Sequence, residues 1–174
     1  MLLRRAVRGD AALLHHVAAA TFPLACPPHA SADDIAAFID TNLSVAAFER
    51  YLDSEVHDIV VAMVGDEAVG YVMVVAGEPT DADVAASVTG RPTLEISKIY
   101  VRPEFNGRGL SGQLMDAAIG IARDRDVASV WLGVNQHNHR ANAFYEKSGF
   151  AKVGVKRFRL GSSLEQDYVR ELAL

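Results

Sequence analysis

Apolar positions along the chain change period several times, and each change marks an element. Leu2 to Val7 reads as a short first strand. Asp10 then stands as an N-cap before Leu14, Val17 and Ala18, which share one helical face. Pro23, Pro27 and Pro28 predict a loop over Thr21–Ala30. Ser31 caps a second helical segment with Ile35, Phe38 and Ile39 in phase. Ser44 caps a third with Val45, Phe48, Tyr51 and Leu52.

Asp58–Val64 and Ala68–Val75 are rich in β-branched residues and flank Gly65-Asp66-Glu67, which predicts an antiparallel hairpin. Glu78–Pro92 is polar and reads as an excursion. The strand Leu94–Val101 follows, and its alternation slips. Leu94 and Ile96 share one face, but Ile99 and Val101 are out of phase by one, as a β-bulge would make them. Leu110, Leu114, Ala118 and Ile121 predict a helix to about Arg125, and Val130, Leu132 and Val134 a strand. That unit is expected to be a right-handed crossover between parallel strands. Asn138 caps a short helix ending at Ser148, with Gly149 beyond it. Phe150–Leu160 and Glu165–Leu172 form a closing hairpin about Gly161-Ser162-Ser163. The expected fold class is α/β: a mixed, mostly antiparallel sheet with one parallel strand pair and helices on both faces, as one domain over residues 1–174.

Pro103 and the run Asn106-Gly107-Arg108-Gly109-Leu110-Ser111-Gly112 join the slipped strand to its helix. A strand, a glycine loop and a helix N-terminus make an anion site. The first-turn N–H groups lack intrahelical partners, and the helix dipole favours negative charge. The loop lacks the Gly-Lys-Ser/Thr ending of a nucleotide-binding P-loop, so that reading is set aside.

Half of the 174 residues are hydrophobic, which suits a globular chain, and Cys26 is the single cysteine, so no intrachain disulfide can form. No apolar run approaches the ~20 residues of a membrane span, and the expected location is cytoplasmic. A net charge of −5 argues against nucleic acid as partner. Residues 1–92 carry 13 acidic and 5 basic side chains, and residues 93–174 carry 9 and 12. Either the charges are scattered, or a basic half holds an anion while an acidic half faces a cation.

The loop resembles the pyrophosphate loop, Arg/Gln-x-x-Gly-x-Gly/Ala, of the GNAT superfamily of acetyl-CoA-dependent N-acyltransferases. About thirty residues on, Asn138-x-x-Ala141-x-x-Phe144-Tyr145-Glu146-Lys147-x-Gly149-Phe150 is similar to that superfamily's last helix and next strand. Leu94-Glu95-Ile96-x-x-Ile99-Tyr100-Val101, Trp131-Leu132-Gly133-Val134, and Gly154-x-x-x-Phe158-x-Leu160-Gly161 with Asp167 resemble the PaiA-type spermidine/spermine N-acetyltransferases. Three positions depart from these patterns. Asn106 replaces Arg or Gln, Ser111 replaces Gly or Ala, and Ser97 stands where PaiA-like strands often carry an acid.

The resemblance implies transfer of an acetyl group from acetyl-CoA to a primary amine by direct attack, with a polyamine among the acceptors and no metal. It implies that the backbone of Gly107 to Gly112 holds the pyrophosphate, that Ile99, Tyr100 and Val101 pair with the pantetheine arm, and that Asn106, Asn138 and Lys147 contact the cofactor. Tyr145 is the expected general acid, since its ordinary pKa of about 10 lies near that of a thiol. Glu95 is the expected base, an acid inside an apolar strand; a solvated residue or structural ion pair is the other reading. Arg108 either adds charge to the loop or faces solvent. His137 and His139 have no third ligand nearby in the sequence, and nothing around Cys26 suggests an activated thiolate. A protein N-terminus or an aminoglycoside is the alternative acceptor, and a non-catalytic CoA-binding regulator is the alternative class. A homodimer is common for such folds, but no segment marks an interface.

Overall fold

The computed structural model describes residues 1–174. Its strands are β1 (Leu2–Arg5), β2 (His57–Val64), β3 (Glu67–Ala76), β4 (Thr93–Val101), β5 (Ser129–Asn135), β6 (Ala151–Leu160) and β7 (Ser163–Ala173). Its helices are α1 (Ala11–Ala25), α2 (Ala32–Asn42), α3 (Val45–Leu52), α4 (Ala82–Ser87), α5 (Leu110–Asp124) and α6 (His139–Lys147). The seven strands form one sheet in the order β1-β2-β3-β4-β5-β7-β6. Only β4 and β5 run parallel; every other neighbouring pair is antiparallel. No helix is long and apolar enough to cross a membrane.

Local chemistry sets most boundaries. Ser31 and Ser44 each accept a bond from the backbone N–H three residues on, at 3.0 and 3.2 Å, and so start α2 and α3. One face of the sheet packs Val60, Val72, Leu94 and Val130 against Leu110, Leu114 and Ala118 of α5. The other packs Ile59, Val61, Tyr71 and Met73 against Leu14 and Val17 of α1 and Phe48 of α3. The sheet therefore has two cores, one on each side.

The structure corrects four expectations. β1 ends at Arg5 rather than Val7, and Asp10 holds the N-cap position of α1 without making a side-chain cap bond. Its carboxylate is clamped by both terminal nitrogens of Arg4 at 2.6 and 2.8 Å and accepts the Val7 N–H at 2.8 Å. The expected loop from Thr21 is still α1 as far as Ala25, with Pro23 inside it. Pro23 removes one backbone donor near the end of the helix. Burial of Phe22, stacked on Phe38 at 4.4 Å between centroids, opposes that loss. The polar excursion 78–92 contains α4, whose Val84, with the following Val88, buries against Trp131 and Val169. The Glu171 carboxylate then accepts the N–H groups of Thr89 and Gly90.

The slip in β4 is a bulge. Lys98 lies opposite Met73, but Ile96 lies opposite Val74, so Ser97 is the extra residue. Leu94, Ile96, Ile99 and Val101 all reach the α5 side despite their broken alternation. Glu95, Lys98 and Tyr100 are left on the α1 side. Parallel pairing starts at Thr93–Ser129 and stops at Glu95–Trp131. Beyond that pair β4 and β5 diverge.

Arg170, 2% exposed, ties α6 to the sheet. It donates to Asn142 Oδ1 at 2.9 Å, the Phe150 carbonyl at 3.4 Å and Glu146 Oε1 at 2.8 Å. Arg170→Leu should cost roughly 2–4 kcal/mol, because the buried Asn142 amide on α6 and the Phe150 carbonyl after it lose their donor. A urea unfolding midpoint equal to that of the parent would contradict this role.

Candidate active site

A cavity of about 730 Å³ opens where β4 and β5 part. β4 supplies one wall from Glu95 to Val101, and β5 and α6 supply the other through Gly133, Asn135, Asn138 and Tyr145. The end of α1, Phe38 of α2, and Lys156, Phe158 and Asp167 of the β6–β7 hairpin close it on the α1 side.

The glycine loop lies at one end. Gly107 and Gly109 sit at φ 77° and 76°, a left-handed backbone that favours glycine. Gly109 is the N-cap of α5 and offers no side-chain bond, whereas α2, α3, α4 and α6 are all capped by side chains. The N–H groups of Leu110, Ser111 and Gly112 consequently have no protein acceptor. A Cβ built on Gly107, Gly109 or Gly112 would meet nothing within 4 Å, so open space covers the loop. The Leu110 side chain is buried in the α5 core, leaving only its backbone for the site. Asn106 and Ser111 line the cavity, while the Arg108 guanidinium rests 5.3 Å from the Phe105 ring centroid.

Ile99, Tyr100 and Val101 line the wall left unpaired by β5. Asn138 lines it too, and its Oδ1 accepts the Ala141 N–H at 3.1 Å, capping α6. Tyr145, 9% exposed, reaches the cavity from α6, and burial pushes its hydroxyl up to about 12. That hydroxyl has no hydrogen-bond partner in the protein. Lys147 is not brought to the cavity; it lies exposed in the last turn of α6.

The α1-side end is charged. Glu95 is held above the ordinary carboxylate range by burial, against the pull of Lys156 and Lys98. Asp167 is 8% exposed and its Oδ1 has no partner. Burial raises Asp167 to about 6, with Lys156 opposing and Glu165 adding to the rise. Lys98 is lowered by burial to about 8, although Glu95 opposes that shift. Cys26 also lines the cavity, and burial pushes its thiol up to about 11, so it stays protonated at neutral pH. No group of three or more His, Cys, Asp or Glu side chains is placed to hold a metal ion.

Sequence reading missed Lys98 and Lys156, and met Asp167 only within a resemblance. Their signal is distributed. Asn135, Asp167 and Lys156 lie opposite one another in a single row across β5, β7 and β6. Only the pairing of three separated strands reveals that row.

The sequence profile of the acetyltransferase (GNAT) family matches residues 18–150. The chain is 43% identical over 165 residues to an uncharacterized N-acetyltransferase of Mycobacterium tuberculosis, covering 94% of this chain and 98% of that one. The fold resembles the PaiA N-acetyltransferase of Thermoplasma acidophilum, crystallised with coenzyme A, at TM-score 0.78 and 18% identity over 99% of this chain and 98% of that one. It also resembles the ribosomal-protein-S18-alanine N-acetyltransferase of Escherichia coli, at TM-score 0.71 and 18% identity, covering 99% and 92% of the two chains. The uncapped glycine loop, the parted strands and this kinship converge: the chain belongs to the GNAT family and is an acetyl-CoA-dependent N-acetyltransferase.

Proposed function

We propose that the protein acetylates a primary amine by direct attack, with Tyr145 as general acid and Asp167 as general base. The observation that carries this reading is one cavity lined by two proton-transfer groups, the Tyr145 hydroxyl, which bonds to no protein atom, and Asp167, whose buried Oδ1 has no partner. Acetyl-CoA supplies the acetyl group as a thioester. The residues present suit such a donor. The free N–H groups of Leu110, Ser111 and Gly112 point into open space suited to a pyrophosphate. The unpaired edge of β4 around Ile99, Tyr100 and Val101 offers an extended arm the bonds of an added strand. Asn106 and Asn138 flank that path.

Asp167 takes a proton from the amine as its nitrogen bonds to the acetyl carbon. Tyr145 gives its proton to the sulfur as the carbon–sulfur bond breaks. A hydroxyl raised to about 12 remains protonated across the working range, as an acid requires. Glu95 is the second carboxylate of the cavity and the rival base. Two carboxylates also give a polyamine, the acceptor suggested by the PaiA-type resemblance, a place for its ammonium groups. The high position of Cys26 supports direct transfer over a thiol-borne acyl group. A reducing cytoplasm suits this free thiol.

Three measurements test the assignment through release of CoA thiol. Tyr145→Phe should lower kcat by roughly 10²–10⁴-fold with little change in the KM for acetyl-CoA; unchanged turnover across pH would remove Tyr145 as acid. For the parent, kcat/KM should fall as pH drops below about 6, because protonated Asp167 cannot accept a proton. Asp167→Asn should abolish that acidic limb, and Glu95→Gln should retain it; the reverse pattern would transfer the role of base to Glu95. Gly109→Ala should raise the KM for acetyl-CoA, since an L side chain is strained at φ 76°. If acetyl-CoA binds tightly yet no amine is acetylated, the protein is a CoA-binding regulator.

A further inference from the structure

The acceptor end of the cavity carries cations that transfer to a simple amine does not require. Lys156 extends from β6 across β7 towards β5. A Cβ built on Gly133 would stand 2.6 Å from Lys156 Cε and 3.2 Å from its Nζ, with Asp167 Oδ2 3.6 Å from the same point. The ammonium and the carboxylate thus both lie within 4 Å of one spot beside Gly133, which lines the cavity. They nevertheless make no ion pair within 4.0 Å. Lys98 enters from β4, donating only to Ser97 Oγ at 3.2 Å and lying 5.4 Å from the Tyr51 ring centroid. It too has no carboxylate within 4.0 Å. The cavity's remaining cation, Arg140, is in the first turn of α6, two residues after Asn138.

Two half-buried ammonium groups with no carboxylate within 4.0 Å are incompletely compensated, and a bound anion stabilises both. Asp167 Oδ1 is the complementary case, a buried acceptor without a donor. Next to these charges stands an apolar wall. Phe22 stacks on Phe38, and Phe158 meets Phe38 edge-on at 5.8 Å. All three line the cavity. A polycation would gain Asp167 and Glu95 but would face Lys98 and Lys156, and its flexible chain would leave the phenylalanines with nothing apolar of matching shape.

We propose that the acceptor is a free α-amino acid with an apolar side chain. Its ammonium group meets Asp167, its carboxylate meets Lys156 and Lys98, and its side chain lies against Phe22, Phe38 and Phe158. The proposal rests on the amine-acetylation reading above. Gly133 belongs to the arrangement, because any side chain there would displace the end of Lys156.

CoA-thiol release by the full chain, measured with matched acceptors, provides the test. The panel is L-phenylalanine and L-leucine, the primary amide of each, the decarboxylated amine of each, and spermidine. The amide retains size and amine but removes the negative charge, as a peptide N-terminus does. The parent should favour the free amino acids by roughly 10- to 100-fold in kcat/KM, the scale of one charged hydrogen bond. Lys156→Met should erase most of that preference through KM, Lys156→Arg should keep it, and Gly133→Ala should weaken it. Equal or better use of amides, amines or spermidine by the parent overturns the proposal and leaves amine acetylation standing. So does a Lys156→Met variant that loses activity equally on amino acids and amides. If no member of the panel is acetylated while calorimetry still detects acetyl-CoA binding, the underlying amine reading fails as well.

Discussion

The parallel pairing of β4 with β5 ends at Glu95–Trp131, and the rest of the molecule is arranged around that interruption. A strand edge left open inside a sheet would ordinarily lose backbone hydrogen bonds at a cost of several kcal/mol. The edge persists because each parted strand is secured on its other side. β3 pairs with β4 from Leu94 to Val101, and β7 pairs with β5 from Ser129 to Asn135. The gap therefore belongs to two fully supported strands. An extended ligand can satisfy it without remaking the fold.

The bulge at Ser97 determines what faces that gap. Without it, alternation would send Ile99 and Val101 to the face opposite Leu94 and Ile96. With it, all four reach the α5 core, while Glu95, Lys98 and Tyr100 meet the α1 side. One extra residue thus keeps a hydrophobic core continuous and gathers ionisable groups on the far face. α6 is fixed with similar economy. Asn138 caps its start, and buried Arg170 holds Asn142 and Glu146, so Tyr145 projects from a helix anchored on both sides.

The geometry of the glycine-loop end of the cavity was largely legible in the sequence because its information is local. The slip between Ile96 and Ile99, the glycines at 107 and 109, and Asn138 before its helix each write their geometry within a few neighbouring residues. Pro23 misled for a related reason. A proline speaks of the local backbone, but the continuation of α1 depends on Phe22 stacking against Phe38 of another helix. Val84 and Val88 were hidden in a polar stretch until Trp131 and Val169 supplied their partners. Lys147 was carried over with its motif, and the helical turn directs it away from the cavity.

The charged end of the cavity was much less legible, because it is written across strands rather than along them. Asn135, Asp167 and Lys156 share a row only after the β6–β7 hairpin has folded back so that β7, not β6, lies beside β5. That topology also explains how opposite charges can be close without neutralising each other. Lys156 and Asp167 start from neighbouring strands on the same face, but Gly133 leaves room for the lysine to extend past the carboxylate towards β5. A side chain there would turn Lys156 back. The charges would then be free to pair with each other rather than remain available to a ligand. In a low-dielectric cavity, an ion pair already formed offers little to an incoming molecule, whereas two separated partners offer both signs. The absent side chain at position 133 is therefore as much a part of the proposed acceptor site as the charged groups around it.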